Sequence, residues 1–135
     1  MKKVYSIMLI LFVVIILTGC MKDSNTFSCT METEEDGIKI IEKIEAILDD
    51  NKVKSLNLIY DINDSEYANN MYDFYNTINE SAIDESKVEI SKNGNEITIK
   101  NAERILETDD IKYIGLTKEE FETIAKTTSE NVTCK

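Results

Sequence analysis

The chain has 135 residues, 15 Lys and Arg against 26 Asp and Glu, no His and no Pro, for a formal net charge of −11. Without histidine, Ser-His-Asp and Cys-His catalysis and most zinc sites are excluded. The acidity excludes nucleic acid as a partner, because phosphate binding needs Lys and Arg to displace counterions.

Lys2 and Lys3 precede an apolar run from Val4 to Leu17, and the small residues Thr18 and Gly19 follow it. That grammar predicts a secretory signal peptide over residues 1–19. A membrane-spanning helix needs roughly 20 apolar residues, more than this run supplies. Leu17-Thr18-Gly19-Cys20 has the form of a bacterial lipobox, whose cysteine thiol takes diacylglycerol and becomes the N-terminus after cleavage. The expectation is a lipoprotein held by Cys20 on the outer face of the cell membrane, with residues 20–26 as a polar tether and 27–135 as one extracytoplasmic domain. Loss of Lys2 and Lys3 takes the net charge to about −13. Cys29 and Cys134 then remain as an even pair in an exported chain, which predicts a disulfide.

Phe27 to Glu32 alternates as a strand does, and Thr33 to Gly37 is an acidic turn ending in glycine. Ile38 to Leu48 fits either period. Its β-branched content and the following Asp49-Asp50-Asn51-Lys52 turn favour a strand, interrupted by Glu42, that pairs with Val53 to Ile62. Asn63 to Glu66 has the form of a capping box with Asn63 as N-cap. It opens a helix to about Glu80 with Tyr67, Met71, Phe74, Tyr75 and Ile78 inward and Tyr72 exposed. Lys87 to Ser91 and Glu96 to Lys100 form a hairpin around Asn93-Gly94, with the positive φ angles of a type I′ turn. Thr108-Asp109-Asp110 caps a short helical turn stopped by Gly115. Thr117 to Glu120 is a second capping box, opening a helix with Phe121, Ile124 and Ala125 inward. Asn131 to Cys134 closes the chain as a strand beside Phe27 to Glu32 if the disulfide forms. The fold class expected is α+β, an antiparallel sheet of hairpins packed against two amphipathic helices.

The lipobox, the early Cys29, the Ile and Val hairpins, the Thr117-Lys118-Glu119-Glu120 helix and the terminal Cys134 together resemble the small bacterial lipoproteins of the YehR-like group. The resemblance covers most of the mature chain. It implies an α+β domain with an antiparallel sheet and carries no catalytic residues across.

Asp61 to Ser65 begins like a calcium loop, but Glu66 stands where glycine is required and Tyr72 where the final Glu belongs. Capping explains these residues better, and neither metal nor cofactor is expected. Glu32, Glu34, Glu35 and Asp36, with Asp49 and Asp50, form charge runs that suit a solvated turn or a rim for a cationic partner. Tyr67, Tyr72, Phe74 and Tyr75 interleave with Asn69, Asn70 and Asn76. That composition suits recognition, against the simpler reading of a helix core face. Asn131-Val132-Thr133 matches a glycosylation pattern that has little meaning in a bacterial lipoprotein. Tyr72, Glu34, Glu35 and Asp36 are the binding candidates, and no catalytic residue is expected. The function expected is non-catalytic binding of an envelope protein or cell-wall component, or a structural role. The alternative is a histidine-independent envelope hydrolase using carboxylate or Ser/Lys chemistry.

Overall fold

The computed structural model describes residues 25–135. The signal peptide expected over residues 1–19, Cys20 and the expected tether up to residue 24 lie outside the described residues. The strands are β1 (Thr26–Glu35), β2 (Ile38–Asp49), β3 (Lys52–Ile62), β4 (Glu89–Asn93), β5 (Glu96–Lys100) and β6 (Val132–Cys134). The helices are α1 (Ser65–Ser81), α2 (Glu103–Leu106) and α3 (Lys118–Thr128). All strand pairs are antiparallel, in the order β4-β5-β3-β2-β1-β6. The fold is therefore α+β, with one short helix, α2, that no pattern in the sequence had announced.

The ambiguous segment is a strand, and a long one. Ile40, Ile44 and Ala46 of β2 stand opposite Ile62, Leu58 and Leu56 of β3, so one face of both strands is apolar. Ile97 and Ile99 of β5 continue that face. Phe121, Leu56, Leu58, Ile62, Ile97, Ile99 and Val53 form the driest part of the core beneath the helices. A shift of register between Ile47 and Leu48 returns Val53 to the inward side. The opposite face carries Lys43, Glu45 and Asn57, and none of the described helices packs on it.

β1 runs on past Glu32 to Glu35, because a two-residue Asp36-Gly37 turn with φ 53° and 81° suffices to reverse it. Asp50-Asn51, with φ 51° and 59°, does the same for β2 and β3. Two successive positive φ angles match the right-handed twist of a hairpin, and Asp, Asn and Gly tolerate them. The β4–β5 turn differs from the type I′ expectation. Its central residues are Gly94 and Asn95, and only Gly94 has positive φ, which is the type II′ pattern.

Cys29 and Cys134 are direct cross-strand partners and form a disulfide. The neighbouring residues Ser28 and Lys135 exchange both backbone hydrogen bonds, at 3.0 and 2.8 Å. The cysteines therefore occupy the non-hydrogen-bonded position, where side chains of facing strands come closest.

Three local expectations are corrected. Asp64, not Asn63, caps α1, its Oδ1 accepting from Tyr67 N–H at 2.7 Å. Asn63 is already committed: its Oδ1 accepts from Lys39 N–H and its amide donates to the Gly37 carbonyl. Thr108 to Gly115 holds no helix, because Glu107 gathers the Tyr113 and Ile114 N–H groups onto one carboxylate oxygen. The inward face of α1 is Ala68, Met71, Tyr72 and Tyr75, leaving Tyr67, Phe74 and Ile78 exposed. The Thr117 capping box of α3 forms as expected.

Candidate functional site

α1 packs over β4, β5 and β3, and α3 over β6, β1 and the start of β3. The inward residues of β2 between them, Ile38, Ile40, Glu42 and Ile44, are only half-buried. A strand with neighbours on both sides should be dry on its helix-covered face. Here β2 floors a trough.

Next to α3 the trough deepens into a cavity of about 260 Å³, lined by Cys29, Met31, Glu42, Ile44, Phe121 and Ile124 among others. Towards the β1–β2 turn lies a second hollow, lined by Thr33, Ile38, Ile40 and Tyr67 with Glu34, Glu35 and Asp36 at its rim, and the inward residues of β2 run from one to the other through Ile40, Glu42 and Ile44. Tyr75 and Ile78 of α1 with Ile105 and Leu106 of α2 line a further depression, and Leu106 also borders the cavity beside α3. The α1 wall is aromatic. Tyr60 stacks on Tyr75 with centroids 6.0 Å apart, their hydroxyls are 2.9 Å apart, and Phe74 meets Tyr75 edge-on at 5.6 Å.

Glu42 is the one carboxylate bordering the deep cavity. Its alternation places it inward, opposite Met31 of β1 and Tyr60 of β3. Among the described residues no ion pair involves it. Burial alone pushes its carboxyl above the usual range. The Tyr60 hydroxyl is also raised, first by burial, then by its hydrogen bond to Tyr75 and by the nearby Glu42 charge. A carboxylate held among isoleucines, methionine and aromatic rings can accept a hydrogen bond from, or pair with, a cationic group brought in by a ligand. A two-carboxylate hydrolytic mechanism needs a second carboxyl group set across the cleft, and the cavity lining supplies none.

The sequence-derived candidates fall on two places. Glu34, Glu35 and Asp36 border the mouth of the trough. Glu34 and Glu35 also sit on the stretch of β1 that extends beyond β6, where charged side chains discourage pairing with another sheet edge. Tyr72, expected to be exposed, is half-buried against the core. The exposed aromatics of α1 are Phe74, 60% accessible, and Tyr67, because the apolar arc of the helix is wider than the sheet can cover. Of the calcium-like residues, Asn63 and Asp64 spend their side-chain oxygens on backbone N–H groups. Among the described residues no three His, Cys, Asp or Glu side chains are placed to hold a metal ion. Asn131 to Thr133 leads into β6.

Glu42 is legible in the sequence only as an interruption in an isoleucine strand, and its parity with Ile38, Ile40 and Ile44 was the signal that it faces inward. No family model matches the chain, and neither a curated protein nor a solved structure matches it, so the likeness to the YehR-like lipoproteins rests on layout alone.

Proposed function

We propose that this protein is a lipid-anchored, non-catalytic binding module of the bacterial cell envelope, and that the trough over β2 receives a segment of a partner protein. The observation that carries the reading is Glu42, a half-buried carboxylate on the floor of an apolar groove, with no ion-pair partner among the described residues. The segment that fits carries a Lys or Arg between aliphatic or aromatic side chains. Its cation meets Glu42, and its apolar neighbours cover Ile40, Tyr67 and Phe74, since Tyr67 borders both the hollow over Ile40 and the one beside Phe74. Glu34, Glu35 and Asp36 at the mouth add attraction at longer range. The cavity is smaller than the roughly 300–1,000 Å³ of small-molecule sites, which favours anchoring side chains of a protein over a free ligand. The lipobox ending at Cys20 supports the location, and the anchor confines the search for partners to the envelope.

A photo-crosslinking amino acid at position 74 of the full-length protein, in its own cells, tests this. It should yield a discrete adduct that Glu42→Lys abolishes. The same group at Thr98, on the uncovered face of the sheet, should yield none. Equal labelling from both positions, or an adduct indifferent to Glu42→Lys, would remove the trough from the reading.

A further inference from the structure

The residues between α2 and α3 form a loop that is firmly held yet displays apolar side chains. Glu107 Oε1 accepts from Tyr113 N–H at 2.8 Å and from Ile114 N–H at 2.9 Å. Thr108 N–H donates to the Ile111 carbonyl, and its hydroxyl oxygen accepts from Ile111 N–H. Tyr113 turns inward, edge-on to Phe121 at 6.2 Å. Ile111 and Ile114 are left 41% and 43% accessible. A loop pinned by this many hydrogen bonds is not exposing isoleucine through looseness.

Its position supplies the reason. Asn25, the first described residue, accepts a hydrogen bond from Leu48 N–H. Leu48 pairs with Val53. Val53 donates to the Leu116 carbonyl and accepts from Gly115 N–H, both at 2.8 Å. Asn25, Leu48, Val53 and Gly115–Leu116 therefore lie in one row across the end of the sheet. With strands about 4.8 Å apart, Ile114 stands roughly 15 Å from the point where the tether enters. Cys20 precedes Asn25 by five residues, a reach of at most about 18 Å.

We infer that Ile111 and Ile114 form a membrane-docking tip that seats in the lipid surface and holds the domain upright on its anchor. The charges around the tip favour apolar seating over headgroup attraction. In the segments that meet there, Lys52, Lys112 and Lys118 are interspersed in sequence with Asp49, Asp50, Asp109 and Asp110, so neither sign dominates, and Lys118 is drawn over the Phe27 ring at 4.7 Å. The occupant is accordingly a neutral lipid surface. The inference rests on the lipid anchor proposed at Cys20, but not on what fills the trough.

The chain has no tryptophan, so one introduced Trp reports alone. The full-length lipidated protein carrying Ile114→Trp is incorporated into phosphatidylcholine vesicles with brominated acyl chains. Its emission should shift to the blue and lose about half its intensity or more, as expected for a side chain about 5–10 Å into the headgroup and acyl boundary. Ile111→Trp provides a second reporter if the first variant misfolds. Tyr67→Trp, beside the β1–β2 turn at the other end of the sheet, should be unquenched. Protein that floats with the vesicles while positions 111 and 114 stay unquenched overturns the docking tip and leaves the anchor standing. Protein that does not float overturns both.

Discussion

Removing the Cys29–Cys134 bridge should cost this domain a large part of its stability. The cysteines are separated by 105 positions, so the bridge closes nearly the whole described chain into one loop. In the chain-entropy account a loop of that length restricts the unfolded state by about 4.7 kcal/mol. The 111 residues from 25 to 135 would have a total stability of roughly 5–17 kcal/mol at typical values per residue. Their unfolding entropy is about 0.23 kcal/mol/K, so the double variant Cys29→Ala/Cys134→Ala should melt about 20 °C lower. Local fraying predicts something much smaller, since β6 is three residues long and its remaining pairing is a few hydrogen bonds. Calorimetric melts of the oxidised protein and the double variant separate the two. A fall of less than about 5 °C would refute the loop-closure argument and mean that packing of α3 already holds the chain ends together.

Glu42→Gln should stabilise the isolated protein. Its folded carboxyl is raised by burial, so the wild type is least penalised below the ordinary carboxylate range and loses stability as pH rises through the folded value. Urea titrations should therefore show a gain of about 0.5–1 kcal/mol at pH 7, discounted for the water that reaches the trough, shrinking towards zero near pH 4. A gain that does not change with pH would assign the effect to packing. Glu103→Ala should destabilise by about 2 kcal/mol, because Glu103 Oε2 accepts from the N–H of buried Leu56 at 2.9 Å and that donor would lose its partner. Glu103→Gln, which keeps an acceptor at the same reach, should recover much of the loss in the same titration.

Most strands were legible because their inward faces alternate every second residue, a signal that does not depend on neighbours; β2, which also fits a helical period, and Val53, turned inward by the register shift, are the exceptions. Phe27 and Cys29, Leu56, Leu58, Tyr60 and Ile62, and Ile97 and Ile99 are all found buried. The face of α1 was misjudged for the opposite reason. Its apolar residues cover more than one stripe, and which stripe is buried depends on where the helix lands on the sheet. The Asn63 side chain, taken by Lys39 and Gly37, also moved the cap to Asp64. α2 could not be read locally. It forms where Leu56 outruns its pairing with β5, and Ala102 N–H and the Glu103 carboxylate take over the Leu56 backbone groups. The trough was invisible for a related reason, since a gap between two helices is a property of their placement and belongs to neither sequence segment.

Glu42 is the residue that a design for stability alone would not contain. Isoleucine at that position would extend the run of Ile38, Ile40 and Ile44, fill the groove floor and remove an unpaired charge, each a favourable change. In the reading proposed above, the carboxylate at that position serves the complex rather than the isolated domain. The geometry around the proposed anchor at Cys20 bears on what complex that is. β2 rises about 3.3 Å per residue, so Glu42 stands about 20 Å above Leu48 and the Glu34–Asp36 mouth about 35 Å above it. Leu48 lies in the row where the tether enters. With Ile111 and Ile114 seated in lipid, the trough would present its acidic mouth away from the membrane and its deep cavity partway down. A partner approaching from the outer side would then meet the long-range charge first and the Glu42 contact last. Reversing the domain on its tether would place the acidic mouth against the headgroups, so the docking tip and the trough are each better suited to one orientation than to the other.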